Sequence, residues 1–129
     1  MRFVKGDILD THALGKLMQD IDIVVHLAAK VSHPDHDMGS HYYDQINHWG
    51  TGILADLVLQ SERTQQLIYL SSSTVYGDHP APKSEQDQAQ PTSFYAWSKY
   101  GGEQQLAKLK GKKKIHILRS GNVYGFNAS

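Results

Sequence analysis

Apolar residues in this chain fall into short continuous runs separated by stretches of helical period. Residues 2–5 (RFVK) are predicted to form a short strand, stopped by Gly6 and Asp7. Asp10 or Thr11 is suited to cap a helix over 11–19, with Leu14, Leu17 and Met18 on one face. The run Ile23-Val24-Val25 within DIVVHLAA lacks alternation, as expected of a strand buried on both faces of a parallel sheet. Residues 30–40 are polar and broken by Pro34 and Gly39, and read as a loop. From 41 to 60 the period becomes helical, with Ile46, Trp49, Ile53, Leu54, Leu57 and Val58 in phase. QLIYLS (66–71) reads as a strand ending in the serine-rich turn SSSTVYG, and the proline-rich residues 78–93 as a long loop. Ser93 precedes a helix over 94–109, Gly111 punctuates it, and KIHILR (114–119) forms a last strand before the turn GNVYG. Strands alternating with helices predict an α/β sheet of parallel strands. Ligands then bind beyond the carboxyl ends of the strands.

Composition narrows the picture. The 129 residues, 40% hydrophobic and 20% charged, suit one soluble domain with a modest core. Zero formal net charge removes any global attraction to nucleic acid or acidic membranes. The lysines at 108, 110, 112, 113 and 114 accordingly read as a solvated helix end. No cysteine is present, so there is neither a disulfide framework nor a thiolate metal site. The apolar runs are too short to span a bilayer, and MRFVKGDILD has no signal-peptide pattern; the expected location is the cytoplasm. His33, His36 and His41 with Asp35 and Asp37 have the chemistry of zinc ligands, but a proline-broken solvated loop accounts for them and no metal is expected. Trp49 and Trp97 read as packing residues.

The candidate chemistry centres on YAWSK. Tyr95 and Lys99, four apart in a helix, share one face. A free phenol, with a pKa of about 10, is a poor base near neutrality, and a nearby cation lowers it. Lys99 is thus suited to tune Tyr95 as a general acid/base for a hydroxyl or carbonyl. The strand ends carry Asp7, then Leu27-Ala28-Ala29, then Ser71-Ser72-Ser73, then Ser120-Gly121-Asn122, and all four groups should lie along one edge beside that helix.

With these motifs in order, the chain resembles the middle of an extended short-chain dehydrogenase/reductase of the nucleotide-sugar epimerase/dehydratase branch. GDILD, HLAA, NHWGT, SSSTVYG, YAWSK and LRSGNVYG resemble successive family segments. The resemblance implies a partial Rossmann-type, doubly wound parallel sheet comprising strands 3 to 6 of the family order. It implies Ser72, Tyr95 and Lys99 as catalytic groups. Asp7, Ile8, Leu27, Ala28, Ala29, Asn47, Ser71, Tyr95, Lys99 and Ser120 would lie along the cofactor, with Asn47 helping to hold the geometry. Ser32, Ser72 and Asn122 would meet the substrate. The implied cofactor is NAD, with NADP not excluded. The implied substrate is a nucleotide sugar, and the parent is expected to be a homodimer that engages neither nucleic acid nor membrane. The implied reaction is oxidation of a sugar hydroxyl to a keto intermediate and its re-reduction, by epimerisation or after water loss. Dehydratases usually show an acidic pair after the catalytic hydroxyl; Ser73 and Thr74 stand there, favouring an epimerase or a simple reductase. The alternatives are a reductase or dehydrogenase of a non-sugar alcohol, or a dinucleotide-binding protein without turnover.

The family's G-x-x-G-x-x-G does not occur in these 129 residues. The first βαβ unit and the C-terminal substrate domain are therefore expected to be missing, making residues 1–129 a partial NAD(P)-binding domain. In strand order 3-2-1-4-5-6, strand 3 either stands apart, leaving strand 4 with an unpaired edge, or closes the gap by pairing with it.

Overall fold

The computed structural model describes residues 2–31, 39–78 and 81–125. Helices packed on one three-stranded sheet carry the fold. Helix α1 (Thr11–Leu17) is capped by Asp10, whose carboxylate accepts from the Ala13 amide, and runs into a 3-10 turn, Met18–Asp20. Strand β1 is Ile23–His26. Helix α2 (Ser40–Tyr43) continues through a π-helical turn, Asp44–Trp49, into α3 (Gly50–Gln60). Strand β2 (Gln66–Ser72) leads to a 3-10 turn, Ser73–Tyr76. Helix α4 (Phe94–Leu106) is capped by the Ser93 hydroxyl, which accepts from the Ala96 amide at 3.1 Å, and strand β3 is Lys114–Ser120.

The strands form one parallel sheet in the order β1-β2-β3, in a register that sets His26 beside Tyr69 and Ser72 beside Ser120. Residues 2–5 are not a strand. A parallel strand needs a neighbour to take its hydrogen bonds, and here Phe3 stands 88% exposed. Of the two outcomes expected for that segment, the gap is not closed, and β1 keeps an edge unpaired among the described residues.

The expectation that β1 is buried on both faces also fails. Ile23 and Val25 are more than half exposed, because among the described residues the helices cover one face only. Along β2, Leu67, Tyr69 and Ser71 are buried beneath the helices, while Ile68, Leu70 and Ser72 alternate toward the open face. The core joins Met18, Leu54, Ala55, Val58, Leu67, Tyr69, Leu106 and Leu109. Trp49 and Trp97 stand outside it at 64% and 58% exposure, contrary to a packing role. Two of the C-terminal lysines have local partners: Lys108 pairs with Asp56 at 2.7 Å, and Lys113 donates to the Ser61 and Thr64 carbonyls. No helix among the described residues is long and apolar enough to cross a membrane.

One glycine sets the approach of α4. A Cβ on Gly102 would stand 2.5 Å from the Tyr69 hydroxyl and 2.8 Å from the Asn47 carbonyl. The absent side chain lets α4 close on both β2 and the π turn.

Candidate active site at the carboxyl edge of the sheet

Ser72 leaves β2 on the open face and caps the turn that follows. Its Oγ accepts from the Thr74 amide at 3.2 Å and from Thr74 Oγ1 at 2.8 Å. With two donors on its oxygen, the Ser72 proton is directed to a further partner. The side chain that feels it is Tyr95, whose phenol pKa the Ser72 hydroxyl lowers. The strand end and the helix start thereby bring two of the three expected catalytic groups together.

Burial raises the Tyr95 phenol above its ordinary pKa, and the Ser72 hydrogen bond opposes that rise. The lowering expected from Lys99 is not found, because the ammonium sits elsewhere: Nζ lies 4.3 Å from the centre of the Tyr69 ring. Lys99 is 2% exposed, and desolvation lowers its pKa to about 8, with Glu103 acting to raise it. The ammonium is therefore still mostly charged at neutral pH.

A polar network lies behind this group. Tyr69 donates to the Lys99 carbonyl at 3.3 Å, and burial pushes its phenol far up. Thr51 gives its single proton to the Asn47 carbonyl at 2.6 Å, so its contact with His26 Nε2 at 2.9 Å is accepted from an Nε2–H. Burial first, and the Lys99 charge second, lower the His26 pKa to about 4, leaving a neutral ring.

Asn47 belongs to the same network. Its amide accepts from the Lys30 amide at 2.7 Å and donates to the Lys30 carbonyl and to Ser98 Oγ, both at 2.9 Å. Ser98 in turn donates to the Tyr95 carbonyl at 2.8 Å. Fully buried, the Asn47 side chain ties the segment after β1 to α4. Its position in a π turn fits the tendency of such bulges to mark functional sites.

Ser71 is also buried. Strand alternation points it to the helices, where its hydroxyl donates to Glu103 Oε1 at 2.6 Å. Ile8 packs against the core and against Gly50. The Asp7 carboxylate accepts from the Leu9 amide at 2.9 Å at an exposed turn. Leu27 and Ala28 are exposed on the strand edge and Ala29 is half-buried. Ser120 is adjacent to Ser72 across the sheet, and Asn122 is exposed beyond it. Ser32 lies outside the described residues, as do His33, Asp35, His36 and Asp37 of the polar loop; among the described residues no three metal-ligating side chains cluster.

Between the β2 turn and β3 opens a cleft of about 830 Å³, bordered by Ser73, Tyr76, Lys83, Glu85, Arg119 and Ser120. The donors at this edge suit hydroxyl ligands. Among the described residues no acceptor takes a hydrogen bond from the Lys99 ammonium, which rests on a ring face and keeps its N–H groups uncommitted. That is the chemistry required to hold the ribose hydroxyls of a dinucleotide, so the residues present fit that end of NAD.

The sequence matches the model of the NAD-dependent epimerase/dehydratase family over residues 1–128. It is 33% identical to the Homo sapiens dTDP-D-glucose 4,6-dehydratase over 135 residues, which cover 96% of this chain and 37% of that protein. The UDP-glucuronic acid 4-epimerase of Bacillus cereus, solved with NAD, superposes with a TM-score of 0.82 at 35% identity, covering 96% of this chain and 40% of that one. A DesIV double mutant, the dTDP-glucose 4,6-dehydratase of Streptomyces venezuelae solved with NAD and DAU, gives 0.87 at 30% identity, covering 96% and 39%. The chain thus spans well under half the length of each of these relatives. By its family match and by the fold it shares with these structures, the chain belongs to the NAD-dependent epimerase/dehydratase family.

Proposed function

We propose that this chain carries the proton-transfer half of an NAD-dependent enzyme that epimerises a nucleotide sugar. The observation that carries the reading is the convergence of Ser72, at the carboxyl end of β2, with the helix that bears Tyr95 and buries Lys99, so that Ser72 acts on the Tyr95 phenol. NAD, when bound at this edge, supplies the hydride acceptor and donor. Lys99 and Tyr95 would hold its ribose end, with Leu27, Ala28 and Ala29 alongside. Ser72 donates to the sugar oxygen that gains and loses its proton, fixing it against Tyr95. Tyr95 exchanges that proton at Oη, and the Ser72 hydroxyl favours its phenolate form. Asn47 holds the helix through Ser98 while this occurs. Water elimination needs a further proton acceptor and donor beside the leaving group, and Ser73 and Thr74 offer only hydroxyls there. That favours epimerisation over the dehydration named for some relatives.

The test is incubation of the polypeptide bearing this segment with NAD and a set of UDP- and dTDP-hexoses, read by proton NMR. Inversion at one sugar carbon is expected. A 4-keto-6-deoxy product would shift the reading to a dehydratase, and unchanged sugars throughout would overturn it.

The homodimer expected of the parent is supported by a groove of about 630 Å³ between α2 and α4, which exposes Phe94 and Trp97 on a chain of zero net charge. Light scattering should give twice the chain mass, reduced to one by Trp97→Glu; a concentration-independent monomer contradicts it.

A further inference from the structure

We propose that Glu103 is a positioning residue that fixes the register between α4, bearing Tyr95 and Lys99, and the strand ends bearing Ser72 and Ser120. The inference rests on the catalytic reading above and extends it to a residue with no contact to the cleft. Glu103 stands one turn beyond Lys99 on α4 and is only 5% exposed. Its carboxylate accepts three hydrogen bonds. Ser71 Oγ donates to Oε1 at 2.6 Å, Arg119 Nε to Oε1 at 3.0 Å, and Arg119 Nη2 to Oε2 at 2.7 Å. Each donor neighbours a residue of the site: Ser71 precedes Ser72, and Arg119 precedes Ser120.

Arg119 extends the tie. Its guanidinium lies 4.7 Å from the centre of the Tyr76 ring, at the end of the turn that Ser72 caps. One carboxylate therefore joins α4, β2, β3 and the turn after Ser72. A buried carboxylate held by a two-point guanidinium contact tolerates little displacement, since sliding the helix breaks both bonds at once. Arg119 supplies the opposite charge, and its own pKa is raised, first by the Glu103 hydrogen bond. The same carboxylate supports the Lys99 ammonium through space. Glu103 is thus both a mechanical clamp and a fixed counter-charge for the group next to the reacting site. Removing it should move Lys99 and Tyr95, whereas removing an ordinary surface ion pair would move neither.

The test uses the polypeptide bearing this segment without cofactor or sugar, so it stands or fails apart from the proposed reaction. The 13Cε signal of Lys99 and the ring signals of Tyr95 are followed by NMR against pH in the unaltered chain and in Glu103→Gln. The expected result is a fall of the Lys99 midpoint by about one pH unit, with displaced Tyr95 ring shifts. An unchanged midpoint and unchanged Tyr95 shifts in a folded variant would overturn the proposal. Ser71→Ala, which removes one tie and leaves both charges, covers the case in which Glu103→Gln does not fold. It should displace the Tyr95 and Ser72 signals while the Lys99 midpoint holds; if those signals stay, the clamp is refuted.

Discussion

Replacing Lys99 with methionine should make this protein more stable at neutral pH. The Lys99 pKa falls from 10.5 to about 8 on burial, with Glu103 only partly opposing the desolvation. A change of one pKa unit corresponds to about 1.4 kcal/mol, so holding the charge in the folded chain at pH 7 costs about 3 kcal/mol. Methionine keeps an unbranched stem against Tyr69 and removes that cost. The sign follows from proton uptake. Between pH 8 and 10.5 the unfolded lysine holds a proton that the folded one has released, so the unaltered chain gains stability as pH rises through that window. Urea unfolding of both chains from pH 7 to 10.5 should give an advantage to Lys99→Met of about 3 kcal/mol at pH 7, shrinking toward zero at the upper end. A less stable variant at pH 7, or a difference that does not change with pH, would refute the reasoning. Confirmation would make Lys99 a residue retained against stability, as expected of a functional group rather than a structural one.

Further outcomes follow from the same network. Because His26 is held neutral with a pKa near 4, the unfolded chain takes up a proton below pH 6.5 that the native chain refuses. Stability should therefore fall by about 3 kcal/mol between pH 6.5 and 4, and His26→Gln should flatten that slope in acid titrations of the melting temperature. Gly102→Ala drives a methyl group into Tyr69 and Asn47 and should lower stability by about 1–3 kcal/mol in urea, where an unchanged midpoint would contradict the packing described. Thr74→Val leaves a Ser72 lone pair free to accept from Tyr95, favouring the phenol. The Tyr95 midpoint, read from its ring carbons by NMR, should rise; no change would show that Thr74 does not orient Ser72.

The order of helices and strands was legible because the helical segments carry period and caps of their own: Asp10 and Ser93 cap where expected. The failures share a cause, which is that neighbours decide what a local pattern cannot. RFVK has the composition of a strand and no neighbour to pair with. Ile23 and Val25 read as doubly buried, yet among the described residues helices cover one face alone. YAWSK pointed to the helix start at the sheet's carboxyl edge, and strand alternation settled which serine points where: Ser72 toward the open face and Ser71 toward the helix. The polar network behind the site was not read from the sequence. Asn47 was read as lying along the cofactor, and nothing in a helical period announces the π turn that buries it. Glu103 did leave a trace, since Tyr95, Lys99 and Glu103 recur every four residues on one stripe. Its meaning required Arg119, which only the fold brings to it.

The central claim is that Tyr95 exchanges the proton of a sugar hydroxyl with Ser72 and Lys99 in support. The direct measurement is the NAD-dependent inversion rate of a nucleotide sugar by the polypeptide bearing this segment, compared with its Tyr95→Phe variant at saturating cofactor and sugar. The account predicts a loss of about 10²–10⁴-fold in kcat with sugar binding retained. A Tyr95→Phe enzyme that turns over at the unaltered rate would contradict it.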